Sequence, residues 1–227
     1  MRLFLLGTLS ALPVWLVACV GDDSIAQDAA AQDSAADNTT PQDSSADVAP
    51  SDAAQDANDA GVEAASPITR AFLSSKKYYG DSIGGLAQAD TDCQLLATAA
   101  SRGTGWKAWL SSTTANAKDR LDLGTGSIML VDGLTTVVAH GTDLLGDGGL
   151  LHAIDHDETG TQVAPSIVWT GTAVGGVVSA TNGAPCGDWT SPDGGATAGG
   201  SNQTGATWTS DAIEPCTNSY PIYCFGP

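Results

Sequence analysis

Ala89-Asp90-Thr91-Asp92-Cys93 leads into Gly103-Thr104-Gly105-Trp106-Lys107-Ala108-Trp109-Leu110-Ser111, and the hydrophobic period changes between the two stretches. Leu86, Ala89, Cys93, Leu96, Ala97 and Ala100 recur at helical spacing. That spacing predicts a helix from about Gln88 to Ser101, ending near Gly103, with Cys93 on its buried face. Trp106 to Ser111 alternates as a strand, which puts Trp106 and Trp109 on opposite faces. Working outward, Ala71-Phe72-Leu73 running on to Tyr78-Tyr79 reads as a first strand. Thr113 to Leu121 reads as a short capped helix. Ile128 to Val131 and Thr135 to Val138 flank Asp132-Gly133, a hairpin signal. Ile167 to Thr170 and Tyr220 to Phe225 are further strands. Between Thr170 and Thr207 the chain is rich in Gly, Ser, Thr and Asn and reads as a long loop region. The class is α+β: two helices on an antiparallel sheet, with long loops.

The chain has 227 residues, 26 Asp+Glu against 8 Lys+Arg, and a formal net charge of -18. That balance excludes a broad grip on nucleic acid, which needs clustered cations, and a polybasic membrane patch. Residues 20–66 hold 11 acids and no Lys or Arg, so the excess charge begins in a leader. Residues 67–227 hold 15 acids and 7 bases.

Met1-Arg2 followed by the apolar run Leu3–Ala18 is a signal peptide, residues 1–18, too short for a comfortable membrane span. Leu16-Val17-Ala18-Cys19 resembles the bacterial lipobox, which implies lipidation of the Cys19 thiol and a membrane anchor of several acyl chains. Val20 rather than Asp at the second mature position points, by analogy with enterobacterial sorting, to the outer membrane. The expected address is the bacterial cell envelope. Residues 19–66 carry the lipidated Cys19 and then repeated Ala-Gln-Asp and Ser-Ala-Asp units. They have too little apolar surface to offset backbone ordering, so a disordered acidic tether with a span of roughly 40 Å is expected.

In the block 67–227, Cys93, Cys186, Cys216 and Cys224 form an even set in an exported chain, which reads as two disulfides. Spacing leaves all three connectivities open. Zinc is disfavoured, because there is no Cys-x-x-Cys pair.

Ala89-Asp90-x-x-Cys93, the run Gly103 to Ser111, Asp119-Arg120-Leu121, Val168-Trp169-Thr170-Gly171, Cys186-x-x-Trp189-Thr190, Cys216 and Tyr223-Cys224 occur in this order. Together they resemble the endostatin domain of collagens. With Gly84-Gly85-Leu86-Ala87-x-Ala89-Asp90, Asp143-Leu144 and Tyr223-Cys224-Phe225 they are also similar to a bacterial family of endostatin-like lipoprotein domains. The resemblance covers about residues 70–226. It implies a C-type-lectin-like fold with nested disulfides, Cys93 with Cys224 and Cys186 with Cys216. In the chain-entropy model such bridges contribute roughly 5 and ~3.7 kcal/mol.

Among candidate sites, five tryptophans lie in the domain. Trp106, Trp169 and Trp189 read as core. Trp109 and Trp208 are the candidates for ligand binding, Trp208 because it sits next to loops. His152-Ala153-Ile154-Asp155-His156-Asp157-Glu158-Thr159-Gly160 is the densest cluster of ligand-capable side chains. Asp155, Asp157 and Glu158 are the metal candidates there, with calcium the cofactor that alternating oxygens before a Gly turn would hold. His152 and His156, four apart, suit zinc only on a helix. The competing reading is a solvated acidic loop. The lectin sugar-binding triplet does not carry over: Glu214-Pro215-Cys216 ends in a cysteine. Endostatin's arginine-rich heparin face is also missing, with only Arg70, Arg102 and Arg120 here. The chain contains no His-Glu-x-x-His or phosphate-binding Gly-x-x-x-x-Gly-Lys. Asp119 and Arg120 read as an ion pair or a helix terminus. The expected function is a surface-anchored, non-catalytic binding module for a protein or glycan. The alternatives are a metal-dependent hydrolase using His152–Glu158 and a purely structural envelope component.

Overall fold

The computed structural model describes residues 67–147, 149–180 and 183–227. The expected signal segment, the expected lipidation of Cys19 and the expected acidic tether fall on residues outside the described ones. Strand β1 (Arg70–Leu73) is an apolar run, and β2 (Tyr78–Tyr79) is a separate strand rather than its continuation. Ser74 breaks the two apart. Its N–H donates to Ile222 O and its hydroxyl to Lys76 O.

Helix α1 (Leu86–Ala99) turns Ala89, Cys93 and Ala97 inward, as the spacing requires. It closes at Ser101, not at Gly103. The Arg102 N–H reaches Ala97 O at 2.8 Å and the Ser101 N–H reaches Thr98 O at 3.0 Å. Ser101 takes the left-handed position at φ 59°. Glycine usually fills that position, and a side chain there costs roughly 1–2 kcal/mol.

Strand β3 (Lys107–Ala108) is shorter than the expected 106–111 run, although the Trp109 N–H still bonds to Tyr223 O. Helix α2 (Ala117–Arg120) is a single turn. β4 (Ile128–Leu130) and β5 (Thr136–Val138) form the expected hairpin. Asp132 organises its turn, accepting the Leu134 and Thr135 N–H groups and the Thr135 hydroxyl. Partial desolvation pushes the Asp132 carboxyl up, but these hydrogen bonds outweigh it and hold the group below its ordinary range. Next come β6 (Ile167–Trp169) and the single turn α3 (Cys186–Trp189). All four α3 residues have positive φ, from 48° to 72°. The turn is therefore left-handed, a conformation other residues must hold in place. The Asp188 carboxylate accepts the Thr113 N–H at 2.8 Å and its hydroxyl at 2.5 Å. Trp189 Nε1 donates to Ser111 O. β7 (Gly195–Gly200), β8 (Ala212–Pro215), β9 (Ser219–Tyr220) and β10 (Tyr223–Gly226) complete the chain.

The result is α+β, with few helices and several sheets. A five-stranded sheet has the order β3-β10-β1-β4-β5, a three-stranded sheet β6-β7-β8, and a ribbon β2-β9. The large sheet is mixed rather than antiparallel, because β1 pairs parallel with β4. Its two faces feed different cores. One holds Ala71, Leu73, Trp109 and Phe225; the other holds Phe72, Ala108, Cys224 and the inner side of α1. Trp106 and Trp109 fall in different cores, as their alternation implied. Disulfides join Cys93 to Cys224 and Cys186 to Cys216, with Cα–Cα distances of 5.6 and 5.4 Å.

The expected loop between Thr170 and Thr207 contains β7, the middle strand of the small sheet. Its sequence, Gly195-Ala-Thr-Ala-Gly-Gly200, has almost none of the bulk that marks strands. Packing explains why. A Cβ on Gly199 would lie 1.9 Å from Trp208 O, while Ala196 and Ala198 fill the second core.

The edge of the large sheet at β3 is closed by side chains. Asp90 Oδ1 accepts the Ala108 N–H at 2.9 Å. Arg120 Nη1 donates to Ala108 O at 3.1 Å and Leu110 O at 2.8 Å, and Nη2 to Asp90 Oδ1 at 2.5 Å. Arg120 therefore pairs with Asp90 rather than with Asp119, which instead accepts from the Asn116 amide. The Asp90–Arg120 pair occupies the place of a further strand.

Candidate functional site

Trp109 and Trp208 are not presented to a ligand. Trp109 is fully buried and Trp208 is 2% exposed. Their rings lie 5.0 Å apart, Trp109 contacts Phe225, and Trp208 contacts Tyr223. The Trp109 indole N–H donates to Thr209 Oγ1 at 2.8 Å. Thr209 belongs to a buried network with Thr170, Thr172 and Ser111. A buried indole must find an acceptor, and these hydroxyls supply it. Flanking loop composition misled the sequence reading, because the segment after β7 folds back over the sheet.

The acidic segment does not gather its carboxylates around one point. Asp155 accepts from the Gln162 amide at 2.7 Å and meets His156 Nδ1 at 2.7 Å. Asp157 caps its own turn, taking the Thr159 and Thr161 N–H groups and the Thr159 hydroxyl. Glu158 points elsewhere, is 6% exposed, and accepts the Ser75 N–H and hydroxyl. Arg102 straps the loop down by donating to the carbonyls of Glu158, Thr159 and Val131. His152 and His156 are not on a helix, and their rings are 6.4 Å apart. Among the described residues no three His, Cys, Asp or Glu side chains form a metal-holding group. The expected calcium ligands Asp155, Asp157 and Glu158 are thus committed to three different structural contacts. Alternating spacing could not reveal this, because the partners Ser75, Arg102 and Gln162 come from other parts of the chain.

What the fold leaves open is the β8 edge of the small sheet; Thr197 and Val168, on the same face as Ile213, are buried. The register pairs Gly195 with Pro215 and Thr197 with Ile213, so these four share one face; Ala196 and Ala198 face the core. β8 is an edge strand with exposed residues on it, and Ile213 is 47% exposed. Two hollows flank that side chain. One of about 220 Å³ is lined by Ser179, Thr197, Ser210, Asp211, Ala212 and Ile213. The other, about 250 Å³, is lined by Gly194, Gly195, Ile213 and Pro215. Beneath the edge, Glu214 Oε2 takes hydrogen bonds from Tyr220 Oη and the Asn218 amide. Desolvation, then the Glu214 carboxylate, raises the Tyr220 phenol above its ordinary value. The sequence signal for this surface was an aliphatic Ile213 between acids, too slight to single out.

Next to Pro67, the Ile68 and Thr69 N–H groups bond to Asp122 O and Gly226 O. At the other end of β1, Ser74 bonds to Ile222, and beyond it the Asp81 N–H reaches the carbonyl of Cys216, the residue following β8. A larger groove of about 340 Å³ lies between α1 and β3, lined by Leu95 and Trp106 among others. It includes Gly105, which sits against Pro227 at the entry end.

Compared with models of known protein families and with curated proteins, the chain matches none.

Proposed function

We propose that this protein is a lipid-anchored bacterial envelope protein whose domain, residues 67–227, is a non-catalytic binding module for a protein or glycan. The observation that carries the reading is the exposed β8 edge of the small sheet. It offers an exposed aliphatic centre, Ile213, between two hollows. Apolar surface ringed by polar groups is what interaction sites present.

The C-type-lectin-like, endostatin-like fold is part of the same proposal. It is supported by terminal strands paired as β1-β10, by α1 bridged to β10, and by a separate small sheet bridged to α3. The lipid anchor is supported by Leu16-Val17-Ala18-Cys19.

The purified full chain is to be tested on arrays of immobilised glycans and proteins, beside an Ile213→Lys variant. Binding of at least one class, lost in the variant, is the expected result. Absence of any Ile213-dependent binding would refute the module. For the anchor, mass spectrometry of the mature N-terminus is expected to show acylated Cys19; an unmodified thiol there would refute it.

A further inference from the structure

We propose that the free β8 edge of the β6-β7-β8 sheet docks an extended polypeptide segment carrying lysine or arginine. The proposal rests on the binding-module reading and names its partner class. All seven Lys and Arg of the domain lie between residues 70 and 120; residues 121–227 contain 11 Asp+Glu and neither Lys nor Arg. The small sheet is built wholly from that second part. In the cation-bearing part, Asp90 meets Arg120 and Asp92 meets Lys76. Around β8, among the described residues, carboxylates meet no cation. Asp193 and Asp211 are exposed, and neither carboxylate has a hydrogen bond or cation partner among the described residues. Glu214 uses Oε2 for Tyr220 and Asn218, and Oε1 has no partner among the described residues.

The shape fits the same partner. An edge strand turns alternate N–H and C=O groups outward, ready for another strand. A strand added beside β8 sets apolar residues beside Ile213 and its alternate residues beside Glu214, with Asp211 at the end of the Ile213 row. Lys and Arg lay their methylene stems along apolar surface while the charge stays in water. The hollow of Gly194, Gly195, Ile213 and Pro215 supplies such a surface. Neither hollow is lined by an aromatic ring of the kind that stacks on sugars. A second copy of this chain, acidic at the same edge, would be repelled.

The test uses the full chain and fluorescent ten-residue peptides that alternate valine with lysine. The controls are the valine–glutamate counterpart and a lysine peptide N-methylated at alternate backbone nitrogens. The lysine peptide is expected to bind, and to weaken at least tenfold between 50 and 300 mM salt (an order-of-magnitude expectation from screening). Asp211→Lys with Glu214→Lys is expected to weaken it at least about tenfold and to admit the glutamate peptide instead. Ile213→Lys is expected to abolish binding, with the near-ultraviolet dichroism of the buried tryptophans unchanged. Equal binding of both charge types, binding indifferent to Ile213→Lys, or full binding by the N-methylated peptide would each overturn the proposal. If no lysine peptide binds but an array ligand is lost on Ile213→Lys, this proposal falls and the binding module stands. If the arrays are silent too, both fall.

Discussion

Replacing Arg120 by methionine tests the idea that an ion pair closes the β3 edge. Arg120 is a positioning element in the fold: its guanidinium serves the carbonyls of Ala108 and Leu110 and the Asp90 carboxylate. Ala108 and Leu110 are fully buried residues, and the Arg120 side chain is 13% exposed. Methionine keeps the stem packing but leaves two carbonyls without their donor and the Asp90 carboxylate with the Ala108 N–H but no cation. A buried group left unsatisfied costs about 1–3 kcal/mol. Asp90 is 28% exposed, so water offsets part of its loss. The expected net destabilisation is about 3 kcal/mol, using the lower half of that range for each carbonyl and a discounted carboxylate. For a domain of this size that is a fall in Tm of roughly 6–12 °C. Arg120→Lys cannot span three acceptors as a fork and should recover less than half of the loss, about 1 kcal/mol. Urea unfolding of the oxidised full chain, with an Asp90→Asn double-mutant cycle, measures each term. A change below about 0.5 kcal/mol for Arg120→Met, or no coupling to Asp90, would refute side-chain closure of the edge.

Gly199→Ala should destabilise by about 3 kcal/mol or prevent folding, since the new methyl meets Trp208 O; a variant with wild-type urea midpoint would refute the close approach. Cys186→Ser with Cys216→Ser should cost about 2–5 kcal/mol and free the left-handed α3 turn, read by thermal melting and by loss of exchange protection at the Thr113 N–H. Burial raises the phenols of Tyr78 and Tyr223, and burial with Glu214 raises Tyr220. Their raised folded values mean the folded state keeps protons that the unfolded state releases. Stability should hold below about pH 10 and fall above it. Tyrosinate absorbance from these three should then rise together with unfolding; early ionisation with the fold intact would contradict the assignment.

Several features of the fold were legible because one element carries its own signal. The α1 spacing placed Cys93 inward, Asp132-Gly133 marked the β4-β5 hairpin, and the Trp106–Trp109 offset placed them in different cores. These readings depend only on local period and turn chemistry, which a sequence displays directly. The Cys93–Cys224 and Cys186–Cys216 pairing was available only from the resemblance, since spacing left three choices.

Other features were decided by neighbours far along the chain. β7 is built of glycine and alanine because the Trp208 backbone approaches it closely, so its strand character has no hydrophobic pattern. Trp208 is buried because its loop folds over β7 and β10. Asp155, Asp157 and Glu158 diverge because Ser75, Gln162 and their own turn claim them separately. The open edge at Ile213 exists because β8 ends a sheet, a property of strand order rather than of any residue on it. Sequence alone determined the elements whose burial is periodic along the chain. Tertiary structure decided everything that depends on which surfaces remain uncovered, because coverage is supplied by segments remote in sequence.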